Sequence, residues 1–230
     1  MADETDALTK AGAWRQAVAA VVLIGALGVG TWALGGTSAS DGDPSPATCS
    51  GGEAEKTGKA ARGVSGAQLC EALNRPNLAE LLGTPGEIAK TAGGSGGSVT
   101  FGGEEIATPS ARVEFGTYTV TLSATYDRLR VDGSAALLGY GARQQKFLGR
   151  PAVLYSDRTT KITFRFDGSD SDSRPGVPAG ALTVAQDAKD SGGSFDVTLW
   201  RADGRVPDDA VLLRVAEKVL PTVPGWAAGG

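Results

Sequence analysis

The hydrophobic pattern of the chain begins with an interruption of all alternation. Residues 17–36 read AVAAVVLIGALGVGTWALGG and carry no charge. At the helical rise this run is about 30 Å long, the thickness of a bilayer's hydrocarbon core. Trp14 and Trp32 lie near its ends, where interfacial tryptophans belong. The pattern predicts one transmembrane helix over 16–36, preceded by a short segment 1–15. Lys10 and Arg15 come before the run, and Asp41 and Asp43 are the first charges after it. By the positive-inside rule the N-terminus stays in the cytoplasm and the remainder is exported. The competing reading is a cleaved signal peptide with Thr37-Ser38-Ala39 as its small-residue site, although the apolar run exceeds the usual roughly 7–15 residues. Ala26 and Gly30 have the small-xxx-small spacing that lets two membrane helices approach.

Residues 37–64 hold Gly, Ser, Ala, Thr, Pro and charge, with almost no large apolar side chain. Such a stretch buries too little surface to order itself and reads as a flexible linker. The globular domain is therefore expected over 65–226. Ala67, Leu69, Cys70 and Leu73 recur at helical spacing until Pro76 breaks the run, and Asn77 is expected to cap a second short turn over 78–82. Residues 92–103 contain GGSGG and GG and are expected to form a flexible loop. Val113 and Phe115 then alternate on one parity, and Tyr118, Val120, Leu122, Ala124 and Tyr126 on the other. The switch predicts a tight turn or bulge at Gly116. A hairpin is expected over 152–156 and 160–166, a polar loop over 167–178, and two strands around Leu182/Val184 and Phe195/Val197/Leu199. Pro207, Asp208 and Asp209 open a final helix, with Val211, Leu212, Val215, Val219 and Leu220 as its stripe and Pro221 as its stop. The expected fold class is α+β: an antiparallel sheet flanked by an N-terminal broken helix and a C-terminal helix, preceded by one transmembrane helix.

Charge and composition narrow the chemistry. The formal net charge is −4, which argues against nucleic acid as a partner because phosphate binding needs a basic face. There is no histidine, so every mechanism that needs an imidazole is excluded. Cys49 and Cys70 are the only cysteines, and in an exported segment they are expected to form a structural disulfide. The chain-entropy argument puts such a loop at roughly 3 kcal/mol. A redox-active pair would instead want the close C-x-x-C spacing.

Other clusters fall short of a site. Asp167, Asp170 and Asp172 alternate with serines in a calcium-like manner, but counting from Asp167 puts Asp172 and Pro178 where an EF-hand needs glycine and glutamate. Glu104 and Glu105 are adjacent and point to opposite sides of an extended chain, so they do not converge as an acid–base pair. The glycines of 93–97 lack the lysine and hydroxyl of a phosphate loop. Trp200, with Arg201 beside it, falls on the face of its strand opposite Phe195, Val197 and Leu199. An aromatic there is a candidate contact surface or a covered packing residue.

Three stretches carry a resemblance: CEALNRPNLAELLGTP (70–85), LGRPAVLYSDRT (148–159) and SFDVTLWRADGRVPDDAVLLRVAEKVLPTVPGW (194–226). They resemble an actinobacterial family of single-pass membrane proteins that carries a domain of unknown function. In its order of elements the chain is similar, more loosely, to exported actinobacterial lipoprotein and kinase-sensor domains, although it lacks their lipid-attachment cysteine. The resemblance brings no activity and no functional residues. The expectation is a non-catalytic binding or sensing module held at the outer face of the membrane by residues 16–36. An envelope protein is its possible partner, and no cofactor, metal or catalytic residue is assigned. The alternatives are an exported histidine-independent hydrolase and a structural envelope component.

Overall fold

The computed structural model describes residues 45–53, 63–138, 141–163 and 172–226. Nine strands dominate it. Seven form one antiparallel sheet: β1 (Thr91–Ser95), β4 (Ser110–Glu114), β5 (Tyr118–Thr125), β6 (Arg143–Phe147), β7 (Arg150–Thr163), β8 (Asp172–Ala185) and β9 (Ser194–Arg201), in the order β1-β4-β5-β9-β8-β7-β6. β2 (Ser98–Phe101) and β3 (Glu104–Ala107) form a separate hairpin inserted between the neighbours β1 and β4. Only short helices accompany the sheet: α1 (Gly66–Leu73), α2 (Leu78–Leu81) and α3 (Asp209–Val219).

This corrects the expected α+β class. The fold is mostly antiparallel sheet with few helices, and among the described residues no helix is long and apolar enough to cross a membrane. The segment 16–36 lies outside the described residues. Local expectations change with it. The glycine-rich stretch taken for a loop supplies β1 and β2, because their pairing with β4 and β3 decides the backbone where side-chain pattern is silent. Of the hairpin expected over 152–156 and 160–166, the described residues, as far as Thr163, are one strand, β7, and Asp172 to Pro178 of the expected polar loop belong to its partner β8.

Alternation decides the two faces of the sheet. Ala111, Val113, Val120, Leu122, Leu182, Val184, Val197 and Leu199 are buried on one face, and the helices pack there. Each buried aliphatic side chain contributes roughly 1.5–3 kcal/mol. The α1 helix starts at Ser65, whose Oγ accepts from the Gln68 amide at 3.2 Å while Gln68 Oε1 accepts from the Ser65 amide at 2.9 Å. This reciprocal pair satisfies two amides that the helix itself leaves open. Ser65→Ala is expected to cost about 1 kcal/mol, read as a lower urea midpoint at unchanged slope. An unchanged midpoint would count against the cap. Asn77, expected as a cap, makes no such bond; its Oδ1 accepts from Arg75 Nε at 2.7 Å instead. For α3, Asp208 accepts from the Ala210 amide at 2.9 Å, and Val211, Leu212, Val215, Ala216 and Val219 form the buried stripe.

The β1 edge is covered by the segment 45–53. The Gly94 amide donates to Ser50 O at 2.9 Å, Ala67 to Gly52 O at 2.7 Å, and Ala47 to Ala89 O at 3.0 Å. Cys49 is bonded to Cys70 of α1, with their Cα atoms 5.9 Å apart. The approach is so close that a Cβ on Gly94 would lie 2.3 Å from Gly66 O. Glycine is required there for space. A covered edge is one that cannot pair with another chain.

Candidate functional site

The second face of the sheet reads, in cross-strand register, as rows of small polar side chains. Arg112, Thr121, Thr198, Ala181 and Tyr155 form one row; Ser110, Ser123, Asp196, Thr183 and Val153 form the next. The loop after β5 covers the β7–β8 side of this face. Its Val131 packs with Val153, Tyr155, Ala181 and Ala185, and Ala135, Leu138 and Ala142 lie against them. Asp190, buried and at φ 55°, ties the loop down by accepting from the amides of Val131 at 2.9 Å and Asp132 at 2.7 Å. The β4–β5–β9 side faces outward, with Thr121, Ser123 and Thr198 half-buried.

Two charged groups stand on this face. The Arg112 guanidinium lies 5.0 Å from the centroid of the Trp200 ring. Thr119, the register partner of Trp200, is only 7% exposed. Burial lowers the Arg112 pKa, and Glu114 at 3.6 Å opposes that shift. Its Nε is buried and has no hydrogen-bond partner among the described residues. Asp196 accepts from Thr183 Oγ1 and, at 3.1 Å, from Ser194 Oγ. Burial outweighs these bonds and pushes its carboxyl up to about 6.

Beyond the sheet, β7 and β8 continue as a two-stranded arm, where Thr160–Thr163 pair with Asp172–Pro175 and neither strand has another neighbour among the described residues. A bulge at Arg158/Thr160 starts the arm, and Thr159 Oγ1 accepts there from the Val177 amide at 2.9 Å. At its foot is a groove of about 680 Å³, lined by Asp157, Arg158, Arg174, Pro178, Ala179 and the 68% exposed Val206, with several hydroxyls between them. Ala179 is the register partner of Trp200, but Ser156, Arg158 and Pro178 of the lining share the parity of Gly180, which faces Pro207 and Leu212, so they belong to the helix side of the sheet and not to the open face.

Trp200 and Arg201 do not form one surface. Being adjacent in β9 they point to opposite faces. Trp200 stands half-buried on the open face, whereas Arg201 lies 4.9 Å from the Tyr118 ring centroid, donates to Tyr118 Oη at 2.7 Å, and bonds both oxygens of Asp203. These bonds raise its pKa and lower that of Asp203. Asp167 and Asp170 lie outside the described residues, and among those described no group of three or more His, Cys, Asp or Glu side chains is arranged to hold a metal. Glu105 accepts from Ser98 Oγ at 2.6 Å, while Glu104 is 4.0 Å from Arg128; the two carboxylates do not converge. Arg112, Asp196 and the groove carried no motif. Their one legible signal is polar parity: Arg112 alternates with Ala111 and Val113, and Asp196 with Phe195 and Val197.

The sequence profile of a family of unknown function, DUF6215, matches residues 9–141, more than half of the chain. The chain belongs to this family. The DUF6215 match takes in the apolar run, the linker, α1, α2 and β1 to β5, and it ends before β6. Arg112 therefore falls within the matched region, whereas Trp200, Asp196 and the groove fall beyond it. No curated protein and no solved structure matches the chain.

Proposed function

We propose that this DUF6215 protein is a non-catalytic binding module, held at the membrane by residues 16–36 and presented on its outer side, with the open sheet face as its contact surface. The observation that carries the reading is that open face. Helices cover one side of the sheet and a loop covers part of the other. The uncovered remainder combines an aromatic ring, a half-buried guanidinium and a row of hydroxyls. The Cys49–Cys70 disulfide supports an oxidising compartment, and the 20 uncharged residues of 17–36 support membrane attachment.

The test is site-specific photo-crosslinking in intact cells, with the probe at Thr121 or Ser123 of the open face and, as a control, at Glu217 on the exposed side of α3. Adducts from the first two positions and not from the control are expected. Adducts from all three alike, or from none, would defeat the reading. Protease added to intact protoplasts is expected to digest the residues beyond 36. A chain cut only after lysis would reverse the topology and remove the compartment argument.

A further inference from the structure

The open face holds a cation whose hydrogen-bonding capacity is not used. Arg112 has five N–H donors. Among the described residues its one ionic partner is Glu114, at 3.6 Å and 42% exposed, a contact longer than a charge-assisted hydrogen bond. A buried donor without a partner is uncommon and calls for a physical reason. The cation–π contact with Trp200, 5.0 Å to the ring centroid, takes none of its N–H groups. On the outer side of Arg112 the register partner is Gly93, which has no side chain, and a Cβ built there would meet Ser50 O only at 3.4 Å. On the inner side come Thr121 and then Thr198, on adjacent strands about 4.8 Å apart, whose hydroxyls bond no other described residue.

We infer that the β4–β5–β9 face binds a hydroxylated carboxylate of the sugar-acid class, with Arg112 receiving the carboxylate and Thr121 and Thr198 bonding ring hydroxyls. The inference rests on the binding reading above and names its ligand chemistry. Charge complementarity decides it. A guanidinium is a planar fork that matches two carboxylate oxygens, and here the contacts with Trp200 and Glu114 already hold it on the face, so less ordering remains to be done on binding. A row of hydroxyls, each both donor and acceptor, matches a polyol rather than an apolar chain. Trp200 gives the sugar's C–H edge an apolar neighbour. Glu114 is the competitor, since a ligand carboxylate takes the position opposite the same cation.

The test uses the full chain in detergent micelles, titrated with glucuronate, a glucuronate polymer, glucose and acetate, and read by calorimetry and ligand-observed NMR. Glucuronate is expected to bind, with glucose and acetate at least about tenfold weaker. Arg112→Gln is expected to weaken glucuronate about tenfold or more and Arg112→Lys by less, because lysine keeps the charge and loses the fork. Glu114→Gln is expected to tighten binding, a change that a purely structural Arg112 would not produce. A polymer that binds more tightly per residue than free glucuronate indicates an envelope glycan as the source; equal binding indicates a soluble sugar acid. Glucose binding as well as glucuronate, or a folded Arg112→Gln variant with unchanged affinity, would overturn the inference. Should Arg112→Gln fail to fold, the sign of the Glu114→Gln effect decides. Crosslinks from Thr121 without uronate binding would sink this ligand chemistry and leave the binding module standing; neither result would sink both.

Discussion

Replacing Cys49 and Cys70 together with serine is expected to lower the thermal unfolding midpoint by roughly 6–12 °C. The bond joins residues 21 apart in sequence, and removing a cross-link of that loop size returns roughly 3 kcal/mol of entropy to the unfolded chain. For a protein of this length each kcal/mol moves the midpoint by roughly 2–4 °C. The bond also holds the segment 45–53 on the β1 edge, where its backbone bonds to Gly94, Ala67 and Ala89 are few and join positions far apart in sequence. Without the covalent tie these bonds must order a short stretch of chain unaided, at a cost of about 1–2 kcal/mol per residue. The freed edge then presents unpaired N–H and C=O groups, so the double serine variant is also expected to self-associate as its concentration rises. Calorimetry gives the first result and sedimentation velocity the second. A midpoint that does not move would mean that packing against α1, not the cross-link, holds the segment in place.

The disulfide was legible because it depends on residue count and compartment alone. The helices were legible too: Leu69, Cys70 and Leu73, and Val211, Leu212, Val215 and Val219, repeat at the helical period and are buried. The tight turn near Gly116 followed from a change of parity, and Phe115 N bonds Tyr118 O across it at 2.8 Å. What pattern could not give was strand formation without side-chain alternation. The backbone at Gly93 and Gly94 is extended because Arg112 and Ala111 pair with it on one side and Ser50 bridges it on the other. In the same way β7 and β8 run past the apolar residues because each supplies the other's hydrogen bonds. These are non-local pairings, and they turned an expected α+β domain into one that is mostly sheet. The candidate site was less legible still. Arg112, Thr121, Thr198 and Asp196 come from three strands and meet only through register, so no spacing along the chain announces them. Trp200 was visible as an aromatic on the solvent parity, but its neighbour in space is Arg112 and not Arg201.

Between pH 5 and pH 8 the domain is expected to lose roughly 1 kcal/mol of stability, most of it below pH 7, and Asp196→Asn is expected to remove most of that slope. Asp196 faces the hydroxyls of Thr183 and Ser194, and the Tyr155 phenol and the Asp127 carboxyl also act on it. Burial, helped by the Asp127 charge, lifts it to about 6 in the folded state, against an ordinary carboxyl near 3.9 in the unfolded chain. The folded protein thus binds the proton more tightly, so the stabilisation is complete below the unfolded value and is lost as pH rises through about 6. Of the shift of about two units, only about one lies above pH 5, at 1.36 kcal/mol per unit. Asp127 is also raised by burial and contributes in the same direction. The chain has no histidine to titrate in this window. The carboxylates held low by hydrogen bonds, Glu87, Asp187 and Asp203, change charge at more acidic pH. Unfolding midpoints at pH 5, 6, 7 and 8 test the expectation; a flat profile, or the same slope in Asp196→Asn, would reject it. At pH 8 the variant should be the more stable of the two, since an amide keeps the hydroxyl partners without a charge to bury. The carboxylate is retained at a cost in stability on the face that the binding reading assigns to a ligand. There its negative charge sits one row from Thr121 and Thr198, so if the face takes the proposed anion, binding is expected to be weaker above pH 6 than below it.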